Sequence, residues 1–358
     1  TLTIKDSKLT SNENIALWGG SIELTNTNLK TDKETNDKDN NIDIDAFKTF
    51  GDTTTADSSN TVKVTGGSME SGGDISVQGG SIALDGVKNM QSAKEKGISL
   101  VASNKLTVTD KQKDEIALEN TADNSISVKN TTMTTDDAMA IIGGKVDVDG
   151  SNLTAGDLEM VAGSSYKDDG NTLAGTDATN LSISGSTLHS NEDLTLVGSN
   201  INLDNTKVEV GTPTDKTYGS NGVVRIAAAK NVTLYDEDGK GFGIESANNT
   251  GNLSLNNVTM NALGEVDAYG KTIDIQDSKL TGNNLIAFQA GNSIGDDVNS
   301  TADNTINLSN TTVDTNDAGL ALIGGKVNVT DGSNLSAGDL EILSLIHISE
   351  PTRHSLIS

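Results

Sequence analysis

The chain contains no cysteine among its 358 residues. This excludes disulfide-stapled scaffolds and cysteine-based metal sites, although it does not assign the protein to a compartment. Proline is rare, with two residues, and aromatic residues make up only 3% of the chain. No run of about 18 apolar residues occurs, so the sequence predicts no membrane-spanning helix and no membrane insertion.

Positive charge is also scarce. Lysine and arginine together number 25 against 51 aspartate and glutamate residues, which gives a net charge of −26. Nucleic-acid phosphates must be met by lysine and arginine, so this balance argues against a nucleic-acid partner. It also argues against binding to an anionic membrane surface, while it favours solubility.

What the chain does contain is a repeat of about twenty residues. Its clearest copy is Lys145–Ser164, KVDVDGSNLTAGDLEMVAGS, which returns as Lys326–Leu343, KVNVTDGSNLSAGDLEIL. Apolar residues alternate with polar ones in three short runs, and Gly, Asn, Asp and Ser separate the runs. This pattern predicts three strands and three turns per unit. A fixed period near twenty residues is typical of a solenoid.

We therefore predict an all-β fold, a right-handed parallel β-helix of about fourteen coils with short loop insertions, over residues 1–342. One coil has too few apolar residues to offset the entropy of ordering its backbone, so neighbouring coils must stack. Parallel crossovers are right-handed by strong preference. The count includes Asn104–Asp123, a poorer copy, and Lys230–Gly251. The alternative fold is a large β-sandwich, which would need longer strands joined by hairpin turns.

The last residues depart from this pattern. Leu343–Ser358 contains one of the two prolines and two of the three histidines, and it resembles a translated sequencing-library adapter. We interpret residues 343–358 as a non-native, adapter-derived tail and exclude them from fold reasoning. At the other end, the chain begins inside a strand pattern, so we interpret it as an internal fragment of a longer protein.

Three coils carry a resemblance to a known family. Lys145–Ser164, Thr61–Gly80 (TVKVTGGSMESGGDISVQGG) and Asn180–Ser199 (NLSISGSTLHSNEDLTLVGS) resemble the repeats of filamentous-haemagglutinin-like exoproteins, the passengers of two-partner secretion. The likeness is one of pattern and is shared with autotransporter passengers. It implies a right-handed parallel β-helix, export through an outer-membrane transporter, and adhesion at the bacterial cell surface or outside the cell. The expected partners are surface glycans or proteins of host or bacterial cells.

Catalysis is the first alternative, because many β-helices degrade polysaccharides. Such a site needs paired carboxylates at a defined separation. Asp147, Asp149 and Asp157 are instead interpreted as part of a solvated outer face. His189 occupies an ordinary position between a strand and a turn. We therefore predict no catalytic residues and no enzyme activity.

Calcium is the only cofactor that the sequence suggests. The segment YDEDGKG at Tyr235–Gly241 places Asp236 and Asp238 at alternate positions, as a hard cation requires. It does not complete the twelve-residue calcium loop of an EF-hand. We name Asp236 and Asp238 as candidate calcium ligands and otherwise predict no cofactor.

Binding loops are the remaining possibility. The insertions Thr31–Asn41, Ser165–Thr179 and Gly211–Gly222 interrupt coils without ending the pattern and should protrude. Trp18 alternates with inward residues and should point outward. Tyr166 and Tyr218 lie in two of the insertions, so Trp18, Tyr166 and Tyr218 are the candidate contact residues.

Asn-x-Ser/Thr sequons also recur, and we interpret them as products of a composition rich in turn and strand residues rather than as glycosylation sites. Examples begin at Asn130, Asn152, Asn180, Asn231, Asn252, Asn257, Asn307, Asn310, Asn328 and Asn334.

These observations together predict a non-catalytic adhesin segment, a stiff rod that presents loops for attachment. The alternatives are a β-helical polysaccharide-degrading enzyme and a passive stalk of a larger exoprotein. A surface groove that gathers three or more carboxylates with aromatic or basic residues would favour the enzyme.

Overall fold

A computed structural model describes residues 1–32, 40–49, 53–110, 115–167, 172–176, 178–212, 222–236, 242–294 and 298–344. Only the backbone is described at 108–110, 115–116, 166–167, 172–174, 234–236 and 242–243. The strands are numbered β1 to β43 in chain order. Each coil contributes one strand to each of three parallel sheets, and successive coils pair in register.

Sheet 1 contains twelve parallel strands. They are β1 Leu2–Lys5, β4 Ile22–Thr25, β8 Thr61–Thr65, β11 Ser81–Asp85, β16 Ser125–Lys129, β19 Lys145–Asp149, β24 Asn180–Ser184, β27 Asn200–Asp204, β31 Asn252–Asn256, β34 Thr272–Gln276, β38 Thr305–Ser309 and β41 Lys326–Thr330.

Sheet 2 follows each of these strands after a corner of two or three residues and also contains twelve parallel strands. They are β2 Lys8–Ser11, β5 Asn28–Thr31, β9 Ser68–Glu70, β12 Asn89–Gln91, β17 Thr132–Thr134, β20 Asn152–Ala155, β25 Thr187–Ser190, β28 Lys207–Val210, β32 Thr259–Ala262, β35 Lys279–Gly282, β39 Thr312–Asp314 and β42 Asn334–Ser336.

Sheet 3 completes each coil. Its parallel strands are β3 Ile15–Gly19, β6 Ile42–Ala46, β10 Ile75–Gly79, β13 Ile98–Ala102, β18 Met139–Gly143, β21 Leu158–Ala162, β26 Leu194–Gly198, β29 Val224–Asp236, β33 Val266–Gly270, β36 Ile286–Ala290, β40 Gly319–Gly324 and β43 Asp339–Ser344. The predicted parallel β-helix is thereby confirmed. The right-handed sense remains the expectation from the strand-crossover rule.

The interior is a continuous apolar core in which like residues stack on like. Val146 of β19, for example, lies between Ile126 of β16 and Leu181 of β24, and all three are fully buried or nearly so. Alternate residues along each strand point inward, as the strand period of two requires. The stacking completes the backbone hydrogen bonding of each coil with that of its neighbours, which no coil can do alone.

The corner between sheets 1 and 2 begins in the same way in all twelve described coils, although Gly67 and Gly332 add a second positive φ in two of them. The first corner residue has a positive φ, and it is always Asn, Asp or Gly, the residues that tolerate this region best. These residues are Asp6, Asn26, Gly66, Gly86, Asn130, Gly150, Gly185, Asn205, Asn257, Asp277, Asn310 and Asp331. In most coils a Ser or Thr follows, and its hydroxyl donates to a backbone carbonyl two residues earlier, as Ser278 does to Gln276 at 2.7 Å.

Insertions follow alternate coils. When the coils are numbered from the N-terminus, the sheet-3 strand of each odd-numbered coil ends with a glycine, such as Gly143. The chain then turns at once into the next strand of sheet 1. The second, fourth, sixth, eighth and tenth coils end sheet 3 with an alanine, such as Ala162, and an insertion follows before sheet 1 resumes. The true repeat is therefore a pair of coils.

The insertions that follow sheet 3 form a fourth, lateral sheet of antiparallel strands. Its members, in order, are β7 Thr53–Thr55, β14 Lys105–Asp110, β15 Glu115–Glu119, β22 Ser165–Lys167, β23 Thr172–Ala174, the C-terminal part of β29, β30 Phe242–Thr250 and β37 Ser293–Ile294. Both edges carry a further bridge, from Thr55 to Thr49 and from Ser293 to Asn299. Covered edges of this kind limit pairing with other chains.

The lateral sheet covers part of the outer face of sheet 3 and encloses a second apolar core. Outward residues of sheet 3 there are apolar and buried, including Val101, Ile142, Val161 and Val197. They pack with residues of the lateral sheet such as Leu118.

The lateral sheet also lowers the coil count. Twelve coils are described, not about fourteen, because two windows interpreted as coils belong to the lateral sheet. Asn104–Asp123 contains β14 and β15, and Lys230–Gly251 contains the end of β29 and all of β30; both pair as antiparallel hairpins. Their alternating pattern is that of a coil, but their hydrogen-bonded partners are different.

Of the segment interpreted as an adapter-derived tail, Leu343 and Ser344 extend β43, and residues 345–358 lie outside the described residues. The described part of the chain contains no helix with the length and apolarity that crossing a membrane requires.

Candidate binding surface

Trp18 is the most exposed large apolar side chain of the described residues, with 64% of its surface accessible. It lies on the outer face of β3, where Ile15 and Leu17 point inward. The next two coils place Asp45 and then Gln78 in register beside it. The outward orientation expected for Trp18 is therefore observed.

A parallel row on the same face adds two polar groups. Asp43 pairs in register with Ser76, and the Gln78 amide donates to the Ser76 hydroxyl at 3.1 Å. Trp18, Asp43, Asp45, Ser76 and Gln78 together form what we call the tryptophan patch. It ends where the lateral sheet begins, since the next residue in the Trp18 row is the buried Val101.

The carboxylates of the patch have perturbed acidities. Burial raises the pKa of Asp45 to about 6, and the charge of Asp43 adds to this, while a hydrogen bond from the Trp18 side chain acts in the opposite direction. Burial and then the charge of Asp74 raise the pKa of Asp43. The patch thus offers a flat apolar ring beside groups that donate and accept hydrogen bonds, the usual composition of a contact anchor.

A second surface feature is a groove over the outer face of sheet 2. Two cavities of about 420 and about 330 Å³ share the lining residues Gln91, Ser92, Ala93 and Lys94, so they form one depression. We call it the sheet-2 groove. It reaches from Lys30 at one end to Asn191 at the other.

The described lining of the sheet-2 groove contains two carboxylates, Glu70 and Asp136. Glu70 accepts a hydrogen bond from Lys30 at 2.7 Å, and Asp136 accepts one from the backbone N–H of Glu95 at 2.8 Å. Both carboxylates therefore have partners. The described lining therefore has fewer than the three carboxylates, grouped with aromatic or basic residues, that would favour an enzyme.

Comparison of the chain with family models, curated proteins and solved structures gives no match. The resemblance to filamentous-haemagglutinin-like repeats therefore rests on the repeat pattern alone.

The structure describes less of the other two candidate contact residues, Tyr166 and Tyr218. Tyr166 lies in β22, paired with Leu118 on one side and Leu173 on the other, so its insertion is a strand of the lateral sheet and not the protruding loop that was expected. Tyr218 lies outside the described residues. Tyr166 lies in the lateral sheet and is not part of the tryptophan patch.

In each of the two other insertions, Thr31–Asn41 and Gly211–Gly222, the two ends of the segment lie close to one another. Thr31 donates to the backbone carbonyl of Asn40 at 2.5 Å, and both residues are buried. Gly211 and Gly222 are packed side by side, so closely that a Cβ on Gly211 would lie 3.0 Å from the Gly222 Cα. The coil therefore resumes where it was interrupted, as predicted from the continuing repeat. The central residues of both insertions lie outside the described residues.

The calcium prediction stays a prediction. Asp236 ends β29 with its side chain outside the description, and Asp238 lies outside the described residues. Elsewhere in the described chain, no group of three or more acidic or histidine side chains could hold a metal ion.

The turns between sheets 2 and 3 contain a carboxylate network that the sequence did not reveal. Asp193 is buried, accepts from the guanidinium of Arg225 at 2.8 Å, and accepts from the backbone N–H of Val223 at 3.0 Å. Asp157 in turn accepts from the backbone N–H of Asp193 at 3.1 Å. Burial is the main cause that raises the pKa of Asp157 to about 6. Asp157 is thus half-buried and structural, not simply solvated.

His189 and the sequons have structural partners. The ring of His189 lies 3.1 Å from the Asn191 amide oxygen. Asn257 and Asn310 are corner residues whose amide groups donate to Asn205 and Asp277 of neighbouring coils, each at 2.6 Å. These bonds support the interpretation of the sequons as turn residues.

Proposed function

We propose that the chain is a segment of a secreted or surface-exposed bacterial adhesin, in which a rod without chemistry of its own presents contact surfaces. The observation that carries this proposal is the tryptophan patch, an exposed indole fixed on a rigid sheet beside hydrogen-bonding groups. Exposed tryptophans are frequent energetic centres of interfaces. Export through an outer-membrane transporter, as the resemblance implies, belongs to the same proposal.

The rod explains why a small patch suffices. Stacked coils hold the patch at a fixed distance from whatever anchors the protein, and many rods on one cell bind together. Such multivalency raises the overall affinity without new contacts. The net charge of −26 keeps the rods soluble and apart from anionic membranes. The proposed partners are glycans or proteins on host or bacterial surfaces.

The test is attachment of beads coated with the protein to bacterial and epithelial cells. Trp18→Ala should reduce attachment at least tenfold, because loss of a central tryptophan typically costs about 2 kcal/mol or more per contact. Lys63→Ala, an exposed change on sheet 1, is the matched control and should attach like the parent. Attachment of the Trp18→Ala beads at the parent level would contradict the proposal.

The alternative, a polysaccharide-degrading enzyme, would have to use the sheet-2 groove. Release of reducing ends or unsaturated products from neutral or anionic polysaccharides would establish that alternative. A passive stalk would show neither attachment nor product release. We propose the adhesin over the enzyme because both described carboxylates of the groove are already hydrogen bonded.

A further inference from the structure

We propose that the sheet-2 groove binds an uncharged, linear, hydroxyl-rich polysaccharide at a site separate from the tryptophan patch. The groove lies on a different sheet and uses different residues, so this inference goes beyond the attachment role proposed above.

The shape of the groove suits an extended chain. From Lys30 to Asn191 it crosses six coils, whose five steps of about 4.8 Å give a length of about 24 Å. One wall is the long turn after β12, in which Lys94 and Glu95 project into solvent. The bond from the Glu95 N–H to Asp136 ties this wall to the next coil. The wall is thus a fixed part of the groove.

The floor of the groove is the outer face of sheet 2, and each coil contributes one outward side chain to it. Outward residues of successive sheet-2 strands stand in register along it, in the order Lys30, Glu70, Gln91, Thr134 and Thr154. Amide and hydroxyl groups therefore recur at the coil spacing. A linear polysaccharide also presents hydroxyl groups at a regular spacing close to this one, so one sugar can face each coil. Such a ladder of hydrogen bonds selects a polymer over a single sugar.

The charges of the groove select against an anionic polymer. Lys30 pairs with Glu70 at 2.7 Å, and Lys94 pairs with Glu95 at 2.9 Å. The two lysines are thereby balanced locally, whereas the chain as a whole carries −26. A polyanion would be repelled by the surrounding field, and both lysines of the described lining already have a carboxylate partner. An uncharged polymer avoids that repulsion and uses the neutral ladder.

The experiment is affinity electrophoresis of the full chain through gels that contain a soluble neutral polysaccharide, with hydroxyethylcellulose, laminarin and glucomannan as probes and polygalacturonate as the anionic comparison. The groove variant is the double substitution Gln91→Ala with Thr134→Val, which removes two floor groups at little cost in shape. Its matched control is Asn261→Ala with Thr281→Val, two residues of the same outward row outside the groove.

We expect at least one neutral polymer to retard the parent chain, and the groove variant to bind it at least tenfold more weakly. The matched control and Trp18→Ala should bind like the parent. Equal retardation of the groove variant, retardation by polygalacturonate alone, or no retardation by any neutral probe would each overturn the proposal. Because Trp18 is tested by attachment and the groove by retardation, either proposal can fail while the other stands.

Discussion

At the residue scale, the corner between sheets 1 and 2 begins with a residue of positive φ in every described coil. Asn257 is one of these corner residues, with φ of 50° and an amide that donates to Asn205 of the preceding coil. An alanine there must hold a left-handed conformation that its Cβ disfavours. The side chain thus serves both the local turn and the contact between coils.

We therefore expect Asn257→Ala to lower the free energy of unfolding by about 1–2 kcal/mol, the usual penalty for the left-handed region. Asn257→Gly loses the same hydrogen bond but relieves the strain, so it should be destabilised less. Urea midpoints of the two variants measure the difference. A glycine variant as unstable as the alanine variant would contradict this reading of the corner.

Asp157 makes a prediction about pH. Its pKa is about 6 in the folded chain against 3.8 for an ordinary aspartate, so the folded state binds this proton more tightly. Stability should therefore fall as pH rises from about 4 to about 6, and the Asp157 contribution should be constant outside that window. Asp45, with a similar pKa, adds to the same slope.

Asp157→Asn should flatten this dependence without abolishing it, because Asp45 remains. Urea midpoints between pH 4 and pH 7 for the parent and the variant measure the change. An unaltered slope in the variant would show that Asp157 titrates alike in the folded and unfolded chains.

At the scale of the element, the turn that ends an insertion supports the next coil. In the sequence TADN, the Asn124 side chain accepts from the Thr121 N–H at 2.8 Å and is fully buried. Asn304 and Thr301 repeat this bond at 2.6 Å. The Thr121 carbonyl then lies directly against Gly144 of the following coil. The turn and the glycine form one packing unit.

Gly144→Ala should therefore lower the melting temperature by several degrees, since its Cβ would lie 1.7 Å from the Thr121 oxygen. Overpacking of this kind typically costs about 1–3 kcal/mol. Gly20→Ala is the matched control, because Gly20 holds the same place in the first coil and its Cβ would meet nothing nearer than 3.9 Å. Equal melting temperatures for the two variants would contradict the packing argument.

The strands of the coils could be predicted from the sequence, but the lateral sheet could not. Leu106 and Leu118 alternate with polar residues as coil residues do, and alternation does not encode which strand is the partner. A signal was present in the pairs Leu100–Val101 and Ile141–Ile142. Two adjacent apolar residues in a strand indicate that both faces are buried. These pairs could have predicted that further strands cover the outer face of sheet 3.

The candidate site was predictable only in part. The outward position of Trp18 follows from its alternation with Ile15 and Leu17, and the structure places it there. Its neighbours Asp45 and Gln78 are 27 and 60 residues away in the chain, so only the register of the coils brings them together. The sheet-2 groove likewise depends on the relative projection of turns in different coils, which no local pattern records.

At the scale of the whole molecule, the twelve described coils stack in register, and steps of about 4.8 Å give a length of about 53 Å. The presentation of the tryptophan patch and the shape of the sheet-2 groove both depend on this stack. The absence of cysteine makes the stack directly measurable, because spin labels can be placed on introduced cysteines without a competing site.

The most direct test is the distance between a label at Lys63→Cys and a second label at Ser182→Cys, Ser254→Cys or Asn307→Cys. These outward positions of sheet 1 lie four, six and eight coils from Lys63 in the same register. Pulsed electron spin resonance should give separations near 19, 29 and 38 Å, a constant increment per coil. Separations that fail to grow linearly with the number of coils would contradict the in-register rod.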